Sequence, residues 1–467
     1  MAVYVSKKDE AFRDYAQTAP PLKVLLSVCM PLALYQAMQA IFKILDALMA
    51  SHIGAGAVSA ISSLSQITNM VTAIGGGLAV GGCIHISESY GGGDYEEVKR
   101  ATSTLYVGTI IASSLMALVL IPFAAPFLRI LQTPEELITE GLGYFRVEII
   151  SLVLTFFNTV YIAIERSRGH SRRILVLNLI VIGIKLGLSA LFVYVLNGTV
   201  IMISVATVIS QLFISCFAVY TMSHDDGVFR FSIKAVSARR STVLPIVNLS
   251  YPVAAEKMLF AAGKVIVNAM SGVYGALTVG ALGISNNIGG LTTNWHSGTL
   301  DGATSLISQN RGAGRYRRTL QIFYRLLLVD VIIGLFGYTL VTLTLPGLAR
   351  IFAQSKNNFD PEFASMIVDI HRYEMIGYMT LGVNSAVNAL FFGFGFTKLV
   401  MVLNVARVFL FRVPVLWFLQ EFTQMGAEAV GVTMMISNVA TGIASALMAI
   451  PIVIKIMRMK EAVSEEV

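Results

Sequence analysis

Charged residues are scarce in this sequence: 13% of its 467 residues are Asp, Glu, Lys or Arg, while 55% are hydrophobic. Soluble domains carry about 25% charged residues, so the composition excludes an ordinary soluble protein. Apolar runs long enough for the roughly 20 residues of a membrane-spanning helix recur along the chain. The runs are continuous rather than alternating, which disfavours strands. We therefore predict an all-α protein that crosses a membrane many times.

Cysteine is also rare, and the three that occur, Cys29, Cys83 and Cys216, lie inside apolar runs. Their scatter gives neither a disulfide framework nor a metal-binding spacing, so we interpret them as small packing residues. The sequence lacks the Gly-rich phosphate loop of an ATP-driven engine. Its histidines show no metal-ligand spacing, and no catalytic cluster is recognisable. We therefore predict no enzyme activity, no cofactor, no firm metal site and no nucleic-acid partner.

Twelve apolar runs are predicted to span the membrane, six before and six after one long polar interruption. The predicted spans are about Lys23–Ala50, Ala57–Ile86, Ala101–Leu128, Gly141–Ile164, Ile174–Leu196, Thr199–Met222, Val243–Gly272, Ala276–Ile307, Leu320–Leu348, Ile370–Phe396, Leu399–Leu419 and Ala427–Met457. The predicted domains are a cytoplasmic leader (1–22), an N-lobe (23–222), a cytoplasmic linker (223–241), a C-lobe (242–457) and a cytoplasmic tail (458–467). Lys and Arg concentrate in alternate loops, which predicts that both termini are cytoplasmic.

The two halves of the chain repeat one another. At an offset of 221 residues, without a gap, Pro31 pairs with Pro252, Lys43 with Lys264, Gly77 with Gly298, Gly81 with Gly302, Gly91 with Gly312 and Tyr95 with Tyr316. A second stretch, at an offset of 226, pairs Arg146 with Arg372, Glu148 with Glu374, Asn158 with Asn384 and Asn178 with Asn404. Because each half contains six helices, both copies begin on the same side of the membrane. We therefore predict parallel repeats about an axis along the membrane normal.

Lys43 and Asp46 lie near the end of the first predicted span, three residues apart and hence on one helix face. Ionisable groups inside a membrane are expensive and indicate function by default. In one interpretation, Asp46 binds and releases a proton or a sodium ion while Lys43 tunes it. In the other, the two form a static ion pair that fixes packing. The repeat breaks at this point, because the equivalent of Asp46 is Val267.

Further charged residues fall inside other predicted spans. Lys185, in the fifth, needs a partner on another helix, water or a substrate anion, and Asp46 is the natural candidate. Such a set implies a wet central cavity rather than contact with lipid. The candidates for coupling and transport are therefore Asp46, Lys43, Lys185, Glu256, Lys264 and Asp301.

Three more charges, Asp330 in the ninth span and Arg407 and Arg412 in the eleventh, are expected near helix ends or in structural roles. His296 lies in the eighth span, close to Asp301 in sequence. The 20 methionines suit an adaptable apolar wall and equally an ordinary core.

Several short motifs, each modest alone, occur in an order and spacing typical of one family. They are LDALMASHIGAGAVSA around Asp46, ISESYGGGDYEEVKRA after the second span, ATVISQ at Ala206–Gln211, SLISQNRGAG at Ser305–Gly314 and RVP at Arg412–Pro414. Over about residues 25–455 the chain resembles the multidrug and toxic compound extrusion (MATE) transporters of the multidrug/oligosaccharidyl-lipid/polysaccharide exporter superfamily.

The resemblance implies two six-helix lobes around a V-shaped central cavity, and export of amphiphilic small molecules or drugs by alternating access. The antiport would be driven by proton or sodium entry across the cell membrane, with both termini cytoplasmic. Asp46 matches the first-helix aspartate of the family, its N-lobe cation and proton site. Glu256, four residues past Pro252, matches a seventh-helix glutamate found in one branch. The expected partners are the lipid bilayer and a small amphiphilic substrate, and we predict a monomer.

The chain departs from the family at several charged positions. Lys43 stands where the family often has an asparagine, and Lys185 and Ser189 stand where an asparagine and an aspartate are common. No acid is apparent in the middle of the tenth span. Sodium needs several oxygen ligands, so we favour proton coupling. The family resemblance predicts a cationic cargo, and the lysines leave an anionic or zwitterionic one open.

Two alternatives change the cargo but keep the superfamily: a flippase for lipid-linked sugars and a narrow-range metabolite exporter. A flippase usually has a more basic cavity and extra helices, so the chain length and Asp46 favour the exporter. A membrane-embedded enzyme or receptor is disfavoured, because neither needs a two-fold repeat with one buried acid.

Overall fold

The computed structural model describes residues 5–53, 55–130, 135–225, 227–355 and 358–459, and nearly all of them are helical. The α-helices are α1 (Lys7–Thr18), α2 (Pro21–Ile53), α3 (Ala55–Gly92), α4 (Tyr95–Leu120), α5 (Ala124–Ile130), α6 (Glu135–Ser167), α7 (Ser171–Ala190), α8 (Val200–His224), α9 (Arg240–Ser271), α10 (Ala276–Gly312), α11 (Tyr316–Phe352), α12 (Pro361–Glu374), α13 (Tyr378–Gly393), α14 (Thr397–Phe409), α15 (Val413–Phe422) and α16 (Glu428–Met457). Strands β1 (Gln354–Ser355) and β2 (Asn358–Phe359) form one short antiparallel pair.

The predicted all-α, polytopic class is confirmed. Ten helical segments within the described ranges are long and apolar enough to cross a membrane. The helices α9 and α10 have the length but are not among these ten. The reason lies in their composition, since α9 carries Glu256, Lys257 and Lys264, and α10 is rich in Gly, Ser, Thr and Asn.

Several boundaries differ from the prediction; the third span, for example, runs over Tyr95–Leu120 rather than Ala101–Leu128. Two of the differences illustrate helix capping. The tenth span begins at Pro361 rather than Ile370, because the Asp360 carboxylate accepts the backbone N–H of Phe363 at 3.0 Å. Proline at the first turn favours the same start. The segment predicted as a cytoplasmic leader contains the helix α1, whose N-cap Ser6 accepts the N–H of Asp9 at 3.1 Å. A hydropathy pattern does not reveal such N-cap residues, because they lie in polar segments.

The chain forms two compact units whose boundaries pass through α2 and α9. Unit 1 contains Met1–Ala19, Ile41–Met258 and Ser308–Ala313, and unit 2 contains Pro20–Ala40, Leu259–Ile307 and Gly314–Val467. The first part of α2 therefore belongs to unit 2, and the first part of α9 belongs to unit 1. Each unit has its own apolar core, with Tyr90 and Tyr106 in unit 1 and Val267 and Leu416 in unit 2. The division into lobes at residues 222 and 242 stays a prediction.

Close helix crossings inside each unit follow the internal repeat. In unit 1, a Cβ atom at Gly77 of α3 would lie 2.6 Å from the Cβ of Ala254 in α9. In unit 2, a Cβ atom at the equivalent Gly298 of α10 would lie 2.3 Å from the Cα of Ala33 in α2. The same pattern recurs one turn further on, with Gly81 against Ser250 and Gly302 against Cys29. The second helix of each repeat (α3 or α10) thus packs on the first helix of the other repeat (α9 or α2). Glycine permits this close approach because it has no side chain.

A buried ionic network anchors α1 in unit 1. Asp9 is fully buried and accepts hydrogen bonds from Nε and Nη2 of Arg168 at 3.0 and 3.1 Å. Arg168 also bonds Glu165 at 3.2 Å and Asp225, and it lies 5.0 Å from the ring centre of Phe229. Burial lowers the pKa of Arg168, but the carboxylates of Glu165, Asp9 and Asp225 more than offset this, so its pKa is raised. One permanently charged guanidinium therefore joins α1 to the α6–α7 turn and to the segment after α8.

Candidate functional site

The central prediction concerns Lys43 and Asp46. Both positions belong to α2, and their side chains lie outside the described residues. Their ion pair and their role in coupling therefore stay predictions.

Lys185 and Ser189 lie in α7, in unit 1. Lys185 is half-buried and Ser189 is fully buried. Directly after Ala190 the helix continues as a π-helix over Leu191–Val195. Such wider turns are often found at functional sites, since they change the direction of the side chains that follow.

The boundary between the units divides the other predicted residues. Glu256 of α9 is half-buried and belongs to unit 1, with Lys185. Lys264, two turns further along α9, is exposed and belongs to unit 2. Asp301 of α10 is half-buried in unit 2 and acts electrostatically on the phenol of Tyr35. Unit 1 also contains positions 43 and 46, so it holds four residues of the predicted set, and unit 2 holds two, Lys264 and Asp301.

In unit 2, three cations surround one aromatic ring. The ring centre of Phe260 lies 5.4 Å from Lys264 Nζ, 5.4 Å from Arg407 Cζ and 6.0 Å from Arg412 Cζ. The Asn438 Oδ1 atom accepts hydrogen bonds from Nη2 of Arg407 at 2.7 Å and of Arg412 at 3.3 Å. One amide oxygen thus fixes both guanidinium groups. This arrangement is suited to an anionic group with an adjoining apolar part.

The two arginines lie where they were expected. Arg407 is in the last turn of α14, and Arg412 is the residue before α15. Arg412 is only 3% exposed, and its Nε donates to Ser437 Oγ at 3.1 Å. Asp330 differs from the expectation of a helix end, because it lies in the middle of α11.

A chain of hydrogen bonds lies at the junction of α10, α12 and α13. His371 is fully buried, with Nδ1 at 2.7 Å from Ser285 Oγ and Nε2 at 2.8 Å from the Tyr378 hydroxyl. Ser285 donates to Glu374 Oε2 at 2.5 Å. With the proton of a neutral imidazole on Nδ1, every donor finds an acceptor: Tyr378 donates to His371, His371 to Ser285, and Ser285 to Glu374. Such a chain can hold a proton and pass it along.

The position of Glu374 corrects the prediction that the middle of the tenth span has no acid. The span runs from Pro361 to Gly393, so Glu374 lies well inside it rather than at its start. The side chain of Glu374 is 12% exposed. The repeat had pointed to this residue through its equivalent Glu148. Ser285, Tyr378 and Asn438 gave no such signal, because single polar residues in apolar runs are common.

The comparisons with known proteins cover nearly the whole chain. The MatE family model matches residues 31–191 and 252–418. The "Probable multidrug resistance protein YoeA" of Bacillus subtilis (strain 168) is 21% identical over a 420-residue alignment that covers 86% of this chain and 87% of that protein. The "Probable multidrug resistance protein YpnP" of the same strain is 22% identical over a 402-residue alignment that covers 84% of this chain and 87% of that protein.

Solved transporter structures share the fold. A transporter of the MOP superfamily from Pyrococcus furiosus, described as having a binding pocket of reverse polarity, aligns with a TM-score of 0.91 and 18% identity. The alignment covers 97% of this chain and 100% of that one. A multidrug resistance MATE family transporter in an outward-facing conformation aligns with a TM-score of 0.90, 18% identity and the same coverage. At this identity, the likeness concerns the fold alone.

Proposed function

This chain belongs to the MatE family of membrane transporters, which use ion gradients, need no cofactor and are not enzymes; from that premise we propose that it exports amphiphilic small molecules, drugs included, in exchange for protons. The two multidrug resistance relatives support drugs as cargo. Export would proceed by alternating access across the cell membrane, with a monomer whose termini are both cytoplasmic. That orientation is supported by Arg168, in the α6–α7 turn, and by Arg172 and Arg173, in the first turn of α7.

One observation carries the preference for protons: the buried chain from Tyr378 through His371 and Ser285 to Glu374. Imidazole is a proton-binding group, whereas hard metal cations prefer oxygen ligands. Lys43 and Lys185 support the same preference, because each puts a positive charge where the family commonly offers oxygen. Asp46 is the proposed N-lobe proton site, with Lys43 tuning it and Lys185 exchanging with it. Glu256, Lys264 and Asp301 are proposed to line the route of the cargo.

The cargo need not be cationic. The three cations around Phe260 support a compound that carries a negative charge, either alone or in a zwitterion. The binding pocket of reverse polarity described for the Pyrococcus furiosus transporter of the same fold supports this proposal.

The alternative is a flippase for lipid-linked sugars or a narrow-range metabolite exporter. The two guanidinium groups held by Asn438, of Arg407 and Arg412, favour it, because arginine is suited to binding phosphate groups.

The test uses purified protein in liposomes, with a proton gradient or a sodium gradient imposed separately. Efflux of a cationic dye and of an anionic dye is followed for the wild type, for Asp46→Asn and for Glu96→Gln, an exposed acid paired with Arg100. We expect the proton gradient to drive dye movement in the wild type and in Glu96→Gln, and Asp46→Asn to abolish it while staying folded. Equal transport by Asp46→Asn would remove Asp46 from the mechanism, and transport driven by sodium alone would refute proton coupling. If neither dye moves under either gradient, the alternative cargos are favoured.

A further inference from the structure

A second buried acid–histidine pair lies where α10, α11 and α13 meet in unit 2. The side chains of His296 and Asp330 are 5% and 0% exposed, and His296 Nδ1 lies 3.4 Å from Asp330 Oδ1. Thr299 donates to the same carboxylate oxygen at 2.7 Å. Within the described part of the chain, neither imidazole nitrogen makes a hydrogen bond, and the other oxygen of Asp330 makes none. Buried polar groups are nearly always paired, so this pair requires an explanation.

The pair lies deep along its helices. At a rise of about 1.5 Å per residue, Asp330 is about 21 Å from the start of α11 at Tyr316. His296 is about 24 Å from the end of α10 at Gly312. Helix ends and solvated loops are therefore remote from both groups.

The equivalent position in the first repeat shows that packing does not require these residues. His296, Asp330 and Gly382 correspond to Gly75, Thr109 and Phe156 at the offsets of 221 and 226. In the first repeat, the ring of Phe156 reaches across from α6, and a Cβ atom at Gly75 would lie 2.6 Å from it. In the second repeat, the ring is the imidazole of His296, which reaches from α10 toward α13. A Cβ atom at Gly382 of α13 would lie 3.1 Å from His296 Cε1. The same space is thus filled by phenylalanine in one repeat and by histidine in the other.

The charge of the pair depends on one proton. With His296 protonated and Asp330 ionised, the pair is neutral overall and each charge faces its opposite. Without that proton, a carboxylate remains buried with the hydroxyl of Thr299 as its hydrogen-bond donor. An uncompensated buried charge is strongly unfavourable. Loss of the proton must therefore be accompanied by entry of water or by separation of the helices at this junction.

We propose that His296 and Asp330 form a proton-binding site of this transporter, whose occupancy is linked to closure of the junction between α10, α11 and α13. A proton from water adds to the neutral imidazole, and it leaves again to water when the junction opens. Since the proton coupling of transport is itself proposed, this site rests on the proposed function. It adds a titrating position to Asp46 and to the chain from His371 to Glu374.

The surroundings contain few competing groups. On α11, Asp330 is the charged residue that faces His296. On α13, Gly382 lies against the imidazole of His296, and Ser385 donates to the backbone carbonyl of His296 at 2.9 Å. On α10 itself, Thr299 bonds the carboxylate. From α2, Cys29 Sγ lies 3.5 Å from the carbonyl oxygen of Thr299.

The first experiment measures protonation directly, without any gradient or cargo. Protein labelled with ¹⁵N-histidine is titrated in detergent, and His296 is assigned by the signal lost in His296→Gln. We expect the His296 signal to change reversibly between its neutral and charged forms, and Asp330→Asn to displace that titration. The control His224→Gln removes an exposed histidine at the end of α8 and should leave the His296 titration unchanged. A His296 signal that never changes over the pH range in which the protein stays folded would overturn the proposal.

The second experiment gives the junction the residues of the first repeat. In the triple variant His296→Gly, Asp330→Thr, Gly382→Phe, the new Cβ atom at position 382 would lie 2.6 Å from the backbone oxygen of residue 330, which must shift. The folded variant should carry one proton fewer per cargo in liposomes. Should the triple variant fail to fold, Asp330→Asn and His296→Gln test the same loss. An unchanged proton count in a folded variant would show that the pair is static packing. If His296 titrates but no gradient drives transport in the wild type, the proposed function fails while the proton site stands.

Discussion

The two repeats place different chemistry at equivalent positions around α3 and α10. The first repeat has Leu64, Phe145 and Leu152, all buried, where the second has Ser285, His371 and Tyr378. Leu64 and Phe145 belong to one apolar cluster of unit 1. Their counterparts Ser285 and His371 belong to the hydrogen-bonded chain that ends at Glu374. An apolar core is therefore sufficient for this fold, and the polar chain of the second repeat must have another use.

The first helices of the two repeats show the opposite difference. The first repeat has Asp46, whereas the second has Val267, which is buried in an apolar cluster. Each repeat thus has titratable residues at positions where the other repeat has apolar residues. Titratable groups therefore occupy different helices in the two repeats.

The largest effect is expected at Arg168, whose equivalent in the second repeat is the buried Phe394. Arg168→Leu leaves the carboxylates of Asp9, Glu165 and Asp225 together without their shared cation. Loss of one partner from a buried ionic network destabilises by about 3–5 kcal/mol. Unfolding in detergent, followed by circular dichroism, measures this effect.

The control for Arg168 is Arg372→Ala, because Arg372 is 44% exposed and pairs with Asp369 and Glu428 at the surface. Its loss should change the free energy of unfolding by less than about 1 kcal/mol. Equal effects of the two substitutions would contradict the assignment of α1 to a tightly held network.

The next comparison replaces one residue by alanine in each repeat, at the equivalent positions Leu64 and Ser285. Leu64→Ala leaves a cavity and should destabilise the protein by about 2–5 kcal/mol without changing the pH dependence of transport. Ser285→Ala removes a donor from Glu374 and an acceptor from His371, which should destabilise by about 1–3 kcal/mol and change the pH dependence. The measurements are the unfolding transition and dye efflux as a function of pH. A pH profile that moves in Leu64→Ala but not in Ser285→Ala would reverse the roles given to the repeats.

The glycine crossings should instead behave alike in both repeats. Gly77→Ala and Gly298→Ala place a Cβ atom 2.6 and 2.3 Å from the facing helix. Each should destabilise by about 1–3 kcal/mol through overpacking. In contrast, Gly183 of α7 has nothing within 4 Å of an added Cβ atom, so Gly183→Ala should stabilise the helix by about 0.5–1 kcal/mol. Thermal unfolding of the three variants measures these effects. If Gly298→Ala destabilised the protein and Gly77→Ala did not, the two crossings would not be equivalent.

The sequence was sufficient for the helical class and the repeat, because apolar runs and a shared register are visible along one chain. It was insufficient for the chain of hydrogen bonds, since Ser285 and His371 are far apart in sequence and neither is unusual alone. Glu374 was misplaced because the start of its span depends on the cap at Asp360 and not on hydropathy. The boundaries of the units inside α2 and α9 were not foreseen either, because helix crossings between repeats leave no periodic signal.

The smallest effect is expected where the repeats agree, at Lys43 and Lys264. Lys264 is exposed and shares the ring of Phe260 with two arginines, so Lys264→Gln removes one of three cations. An exposed charge contributes about 0.2–1 kcal/mol, so the affinity for an anionic dye should fall by no more than about fivefold. Lys43→Ala should instead shift the pH optimum of transport, because its proposed partner is Asp46. Dye binding by fluorescence and efflux at several pH values separate the two effects. If both substitutions acted only on binding, Lys43 would belong to the cargo site, and the coupling role would rest on Asp46 without a tuning partner.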